Sequence, residues 1–194
     1  MPRRGVEFLK GGYYHIYNRG VNHQPIFQEP DNYLHVLRLL RHYLGECTVA
    51  PVAYCLMPNH YHLLLRQDGE TPAGKVPQLT FNAYAKAYNK RYNRQGALFQ
   101  GRYHAVHVDS DEYLAVLCCY IHANPVKAAI VQRPEDWPYS NYPEWIGARK
   151  GKLVDQGLVA DIYPDRAEYR RYVNDYIAAI KNLPEETGPY LLDS

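Results

Sequence analysis

From Tyr13 onward the spacing of apolar side chains switches repeatedly between the alternating period of a strand and the longer period of a helix. The order of those switches restricts the topology more than any other feature of the chain. Tyr13 to Asn18 (YYHIYN) alternates and reads as a strand closed by the turn-forming Arg19-Gly20. Asp31 to Leu44 places Leu34, Leu37, Leu40 and Leu44 at helical spacing, with Asp31 as the expected N-cap. Thr48 to Met57 is rich in strand formers, and its Pro51 marks an edge or a bulge. Pro58-Asn59 then turns the chain into His60 to Arg66, so the two stretches form a hairpin. After a polar loop over 67–77, Gln78 to Arg94 reads as a helix with Tyr84, Tyr88 and Tyr92 along one line. Arg102 to Val108 reads as a fourth strand. Asp109 and Glu112 then open a helix that turns Leu114, Leu117, Cys118 and Ile121 inward and ends or bends at Asn124-Pro125. The order β-α-β-β-α-β-α predicts an α+β fold: a ferredoxin-like antiparallel sheet with helices on one face. Residues 1–145 are expected to form the principal domain, with Trp137 to Trp145 as an aromatic loop, and residues 146–194 a C-terminal helical extension with its helix at Asp165 to Lys181.

No apolar run approaches the ~20 residues a membrane-spanning helix needs, and the basic start has no apolar stretch behind it, so a cytoplasmic location without membrane contact is expected. The four cysteines include no CxxC pair, which argues against a zinc knuckle or a disulfide framework. The net charge of +2 is small but unevenly spread. Thr71 to Val108 holds six basic residues and no Asp or Glu, whereas Asp155 to Ser194 holds eight acidic and four basic residues. A polyanion is therefore expected at the middle of the chain, where Lys86, Lys90, Arg91, Arg94 and Arg102 are the candidate DNA contacts. Twenty tyrosines against four phenylalanines add rings that bury like apolar groups and also stack on bases.

His60-Tyr61-His62 lies in an expected strand, so the two imidazoles project to one side about 7 Å apart at their Cα atoms and can share a metal ion. Tyr120 and Asn124 lie four residues apart on an expected helix and share a face. His122, two positions on, points elsewhere.

Two segments, LMPNHYHLL (Leu56 to Leu64) and YIHANPVKA (Tyr120 to Ala128), resemble the signature segments of the HUH-type single-tyrosine transposases, and within them the REP-associated tyrosine transposase branch. YHIYNRG from Tyr14 to Gly20, GALFQGRY from Gly96 to Tyr103 and DWPYSNY from Asp136 to Tyr142 support the likeness, which runs in order over roughly residues 13–145. The resemblance implies a ferredoxin-like fold, His60 and His62 as ligands to Mg²⁺ or Mn²⁺, Asn124 as third ligand, and Tyr120 as the nucleophile that cuts DNA to a 5′-phosphotyrosine and a free 3′-OH. It implies single-stranded or hairpin DNA as partner, in a monomer or a homodimer. Tyr61 departs from the aliphatic residue usual between the two histidines. The acidic tail departs from the basic tails of some relatives.

Two other classes fit the same residues: a non-catalytic single-strand-binding module of this fold, and a hydrolytic zinc enzyme that adds Cys55 or Cys118 to the histidines.

Overall fold

The computed structural model describes residues 6–181. Four strands, β1 (Tyr13–Arg19), β2 (Val49–Met57), β3 (His60–Gln67) and β4 (His104–Val108), form one antiparallel sheet in the order β2-β3-β1-β4. Helix α1 (Pro30–Cys47) joins β1 to β2, α2 (Lys75–Arg91) joins β3 to β4, and α3 (Asp111–Lys127) follows β4. The ferredoxin-like order is thus the one the periodicities predict. Three more helices, α4 (Tyr142–Trp145), α5 (Gln156–Ile162) and α6 (Arg166–Lys181), complete the described chain. Among the described residues no helix is long and apolar enough to cross a membrane.

Strand alternation assigns the two faces. Tyr61 stacks on Phe81 of α2, with ring centroids 3.7 Å apart, and α1 packs along α2 on that side. His62, one residue on, points to the other side and meets Tyr120 of α3. The two crossover helices therefore cover one face as expected, while α3 lies on the opposite face, so the helices are not confined to one side. Tyr61, the departure between the histidines, is a core ring filling the gap between sheet and α2.

Several local expectations shift. Asp31 sits in the first turn of α1, and the cap is Glu29, whose side chain and that of Asn32 form a reciprocal capping box ahead of Pro30. The buried stripe of α1 runs through Tyr33, Val36, Leu40, Leu44 and Cys47, leaving Leu34 45% exposed. Helix α2 starts and stops three residues before the expected Gln78 and Arg94. The cap of α3 is Ser110, accepting from the Tyr113 backbone N–H, rather than Asp109. Pro125 does not end α3, which continues to Lys127. Pro51 has both consequences expected of it: β2 is an edge strand, and its register slips between Pro51 and Ala53.

The expected aromatic loop Trp137 to Trp145 is mostly buried and ends in the short helix α4. It folds along the outer edge of β2, where the Leu56 N–H donates to the Tyr139 carbonyl and Ser140 bridges Cys55. Asn141 continues the pairing with its side chain, accepting from Tyr54 N–H at 2.7 Å and donating to the Val52 carbonyl at 2.9 Å. Both indoles donate to β2 carbonyls, Trp137 to Leu56 and Trp145 to Val52. An edge strand with unpaired backbone groups invites association with other chains, and this segment closes it.

Helix α6 docks on α3 through Tyr169 and Val173, both fully buried. His122 of α3 bonds Tyr169 through Nδ1 at 2.5 Å and Asn141 through Nε2 at 2.9 Å. One buried imidazole thereby ties the tyrosine helix to α6 and to the cover of β2.

Candidate active site

Register places the site. Across the sheet Cys55, His62, Tyr17 and His104 form one row, and Met57, His60 and Arg19 the next. Cross-strand partners share a face, so all these side chains point toward the side that α3 occupies. The His60 and His62 rings lie edge to face, their centroids 5.1 Å apart, on the one side of β3 that the spacing predicts. With Tyr17, Arg19, Gln100 and His104 they line a cleft of about 190 Å³.

The Tyr120 ring stands edge-on to His62 at 5.4 Å between centroids and to His15 at 6.4 Å. The ammonium of Lys127, two turns further along α3, lies 5.4 Å from the centre of the same ring. Tyr120 is 1% exposed, sealed between α3 and the sheet. Tyr113, the other tyrosine on this helix and nearly the same face, is half-buried near Tyr17 and makes no ring contact with the histidines among the described residues.

His62 is buried, and its two nitrogens differ. Nδ1 shares a hydrogen bond with His15 Nε2 at 3.0 Å, while Nε2 has no hydrogen-bond partner among the described residues. Burial, reinforced by the neighbouring His15, His60 and Lys127, holds the ring well below the usual histidine pKa, so it is neutral, and the tautomer with its proton on Nδ1 carries the lone pair on Nε2. A buried, unpartnered imidazole nitrogen is what a divalent metal ligand needs, and His60, hydrogen-bonded through Nδ1 to Asn59 at 2.7 Å, is its neighbour. Two imidazole nitrogens suit several divalent metals and would leave coordination positions open for substrate oxygens.

The remaining candidates are placed unequally. Asn124 lies one turn beyond Tyr120, its Nδ2 donating to the Tyr120 carbonyl at 2.9 Å, which leaves its carboxamide oxygen for a ligand. Lys86, Lys90 and Arg91 are exposed on α2, across the sheet from Tyr120, with Arg94 just beyond that helix. Arg91 is also paired with Glu29 at 2.8 Å and Asp31 at 3.5 Å. Arg102 lies in the loop before β4, beside Asn18 and Tyr61. Among the described residues no three or more His, Cys, Asp or Glu side chains gather in metal-binding geometry. Cys55 and Cys118 are both buried, which raises their thiol pKa values, and neither joins the histidines in such a cluster.

Sequence reasoning missed His15. It belongs to the same strand motif as Asn18 and Arg19, and its spacing carries no signal of a partner 47 residues away.

The family model for IS200-like transposases matches residues 9–124, a span that holds both histidines and the α3 segment from Tyr120 to Asn124. A Haemophilus influenzae protein assigned as a REP-associated tyrosine transposase is 27% identical over 124 residues, covering 59% of this chain and 64% of that protein. The matched span is thus under two thirds of that relative's length. The structure of a REP-associated tyrosine transposase bound to a REP hairpin superposes with a TM-score of 0.61 at 14% identity, over 80% of this chain and 98% of that one, a likeness of fold. With more than half its length matched by the family model, and with that fold, this chain belongs to the IS200-like transposase family.

Proposed function

We propose that the chain cuts and rejoins single-stranded or hairpin DNA by transesterification, with Tyr120 as nucleophile, His60 and His62 holding Mg²⁺ or Mn²⁺, and Asn124 as a weaker third ligand. The observation that carries this reading is the buried His62 Nε2, without a hydrogen-bond partner among the described residues, on a neutral ring against which Tyr120 stands. The family relationship and the hairpin bound by the structurally similar transposase point the same way.

The phenol oxygen of Tyr120 attacks phosphorus, the bond to the 3′ oxygen breaks, and that oxygen leaves as a 3′-OH while the 5′ phosphate stays on tyrosine. A 3′-OH attacking the phosphotyrosine reverses the exchange, and because one diester replaces another no ATP is required. His60 and His62 would hold the divalent ion, which would supply positive charge to the scissile phosphate. Lys127 adds a cation beside the Tyr120 ring, and His15 holds the orientation of His62. Since Tyr120 is 1% exposed, a phosphodiester reaches its hydroxyl only when α3 lifts from the sheet or the strand enters beneath it.

The test is incubation of the protein and of Tyr120→Phe with labelled hairpin DNA and Mg²⁺, followed by denaturing electrophoresis and peptide mapping. A covalent adduct on Tyr120 that the Phe variant lacks supports the reading. An adduct on Tyr113 reassigns the nucleophile, and no adduct from the parent protein favours a non-catalytic single-strand-binding module.

A further inference from the structure

The face of the sheet that α3 covers is not covered evenly. Toward β2 and β3 it is closed, and His15 and His62 are buried. Toward β4 it is open: His104 is exposed, Val106 is 37% exposed, and Tyr17 between them and the histidines is half-buried. In this open part the His104 ring stacks on Tyr17, with centroids 5.2 Å apart and planes 15° from parallel. Tyr17 in turn lies 5.9 Å from the His62 ring. Cross-strand register therefore lays three flat rings in one row, from the buried His62 to the exposed edge strand.

One residue along β1, on the same face, stands Arg19, the direct cross-strand partner of His60. Its side chain is held in place: Nε donates to Gln100 Oε1 at 2.8 Å, while the Gln100 backbone N–H donates to the Arg19 carbonyl, also at 2.8 Å. Among the described residues no carboxylate pairs with Arg19, so its charge is available to an anion. This gives the GALFQGR segment a purpose beyond a loop, since Gln100 belongs to it.

An exposed ring stacked on a second ring, beside a fixed guanidinium, presents a base-sized apolar plane and a phosphate partner together. Blunt duplex cannot use the plane, because its bases are already stacked on one another. We infer that Tyr17, His104 and Arg19 form a subsite for one unpaired nucleotide next to the scissile phosphate, its base stacking on His104 and its phosphate meeting Arg19. The subsite takes its place in the reaction from the strand-cleavage reading, but its existence is measured by binding alone.

The experiment uses the full chain carrying Tyr120→Phe, so that no strand is cut. Affinity is measured for single-stranded dT15 and for a blunt duplex, before and after His104→Ala and Arg19→Ala. His104→Ala is expected to weaken dT15 binding about tenfold and leave the duplex unchanged, as loss of one stacked base does. Arg19→Ala is expected to weaken both and to lower the salt slope by about one phosphate contact, with Arg19→Lys restoring much of the slope. Photocrosslinking of a dT15 bearing one 5-iododeoxyuridine is expected to label Tyr17 or His104. Unchanged dT15 affinity in His104→Ala, crosslinks confined to α2, or no dT15 binding by the parent protein would overturn the inference, since such a subsite tolerates any base. Unchanged melting of both variants separates lost contact from lost fold. A missing Tyr120 adduct in the cleavage assay leaves these measurements standing, so the two readings fail separately.

Discussion

His15 Nε2 lies 3.0 Å from His62 Nδ1, and both rings are buried. When His62 binds a metal through Nε2, its proton is on Nδ1 and points at His15, which then accepts it and fixes both tautomer and ring orientation. His15 touches neither metal nor phosphate in this scheme. It acts as a positioning residue.

His15→Phe keeps the ring volume and removes the acceptor. Mn²⁺ affinity, followed by electron paramagnetic resonance, is expected to fall about 10- to 100-fold, with the midpoint of thermal unfolding little changed. Unaltered Mn²⁺ affinity would remove His15 from the site.

Replacing both His60 and His62 by Ala is expected to abolish Mn²⁺ binding and covalent adduct formation while the chain still folds. His62 loses one buried hydrogen bond, to His15, while its Nε2 has no partner among the described residues and His60 is only partly buried. Circular dichroism checks the fold. Full adduct formation by the double variant, or in excess chelator, would take the metal out of the mechanism.

His122 predicts a pH dependence of stability. Asn141 is oriented by donating to Val52 and accepting from Tyr54, so its oxygen faces His122; Nε2 of His122 must donate to it, and Nδ1 is left to accept from Tyr169. That arrangement requires a neutral ring, and burial pushes the His122 pKa down to about 4. The unfolded chain takes up this proton near pH 6.5. The unfolded state therefore binds more protons between these values, so this contribution is complete above about pH 6.5 and is lost as pH falls toward 4, a change of about 3 kcal/mol. His62, also depressed, acts in the same direction. Denaturant unfolding from pH 4 to 7 measures it, and His122→Gln is expected to be less stable at neutral pH with a shallower rise. An unchanged slope in that variant would show that other groups titrate.

Lys86, Lys90 and Arg94 lie on or just beyond α2, across the sheet from Tyr120, so their charge acts on binding rather than on the exchange of phosphate bonds. Changing all three to Gln is expected to weaken hairpin binding and lower its salt slope by about two, with cleavage at saturating DNA unchanged. A reduced rate at saturation would place DNA from this surface directly in the site. Blunt duplex binding as tightly as the hairpin would reject the preference for accessible bases.

Local periodicity was enough to put His60 and His62 on one side of a strand, Tyr120 and Asn124 one helical turn apart, and Pro51 at an edge. Each of these depends only on how a residue sits in its own element. Capping was less legible: Glu29 and Ser110 hold helix starts expected of Asp31 and Asp109, because a cap depends on the path of the incoming loop. Leu34, at helical spacing with buried leucines, faces solvent because the packing of α1 on α2 selects a stripe through Tyr33 and Val36 instead. The pairing of His15 with His62, the row that carries Tyr17 to His104, the partnership of Arg19 with His60, and the union of His122 with Tyr169 and Asn141 all join residues far apart in the chain. The period of one strand states which face a side chain takes. Only the register between strands, and the face on which α3 docks, decides what that side chain meets.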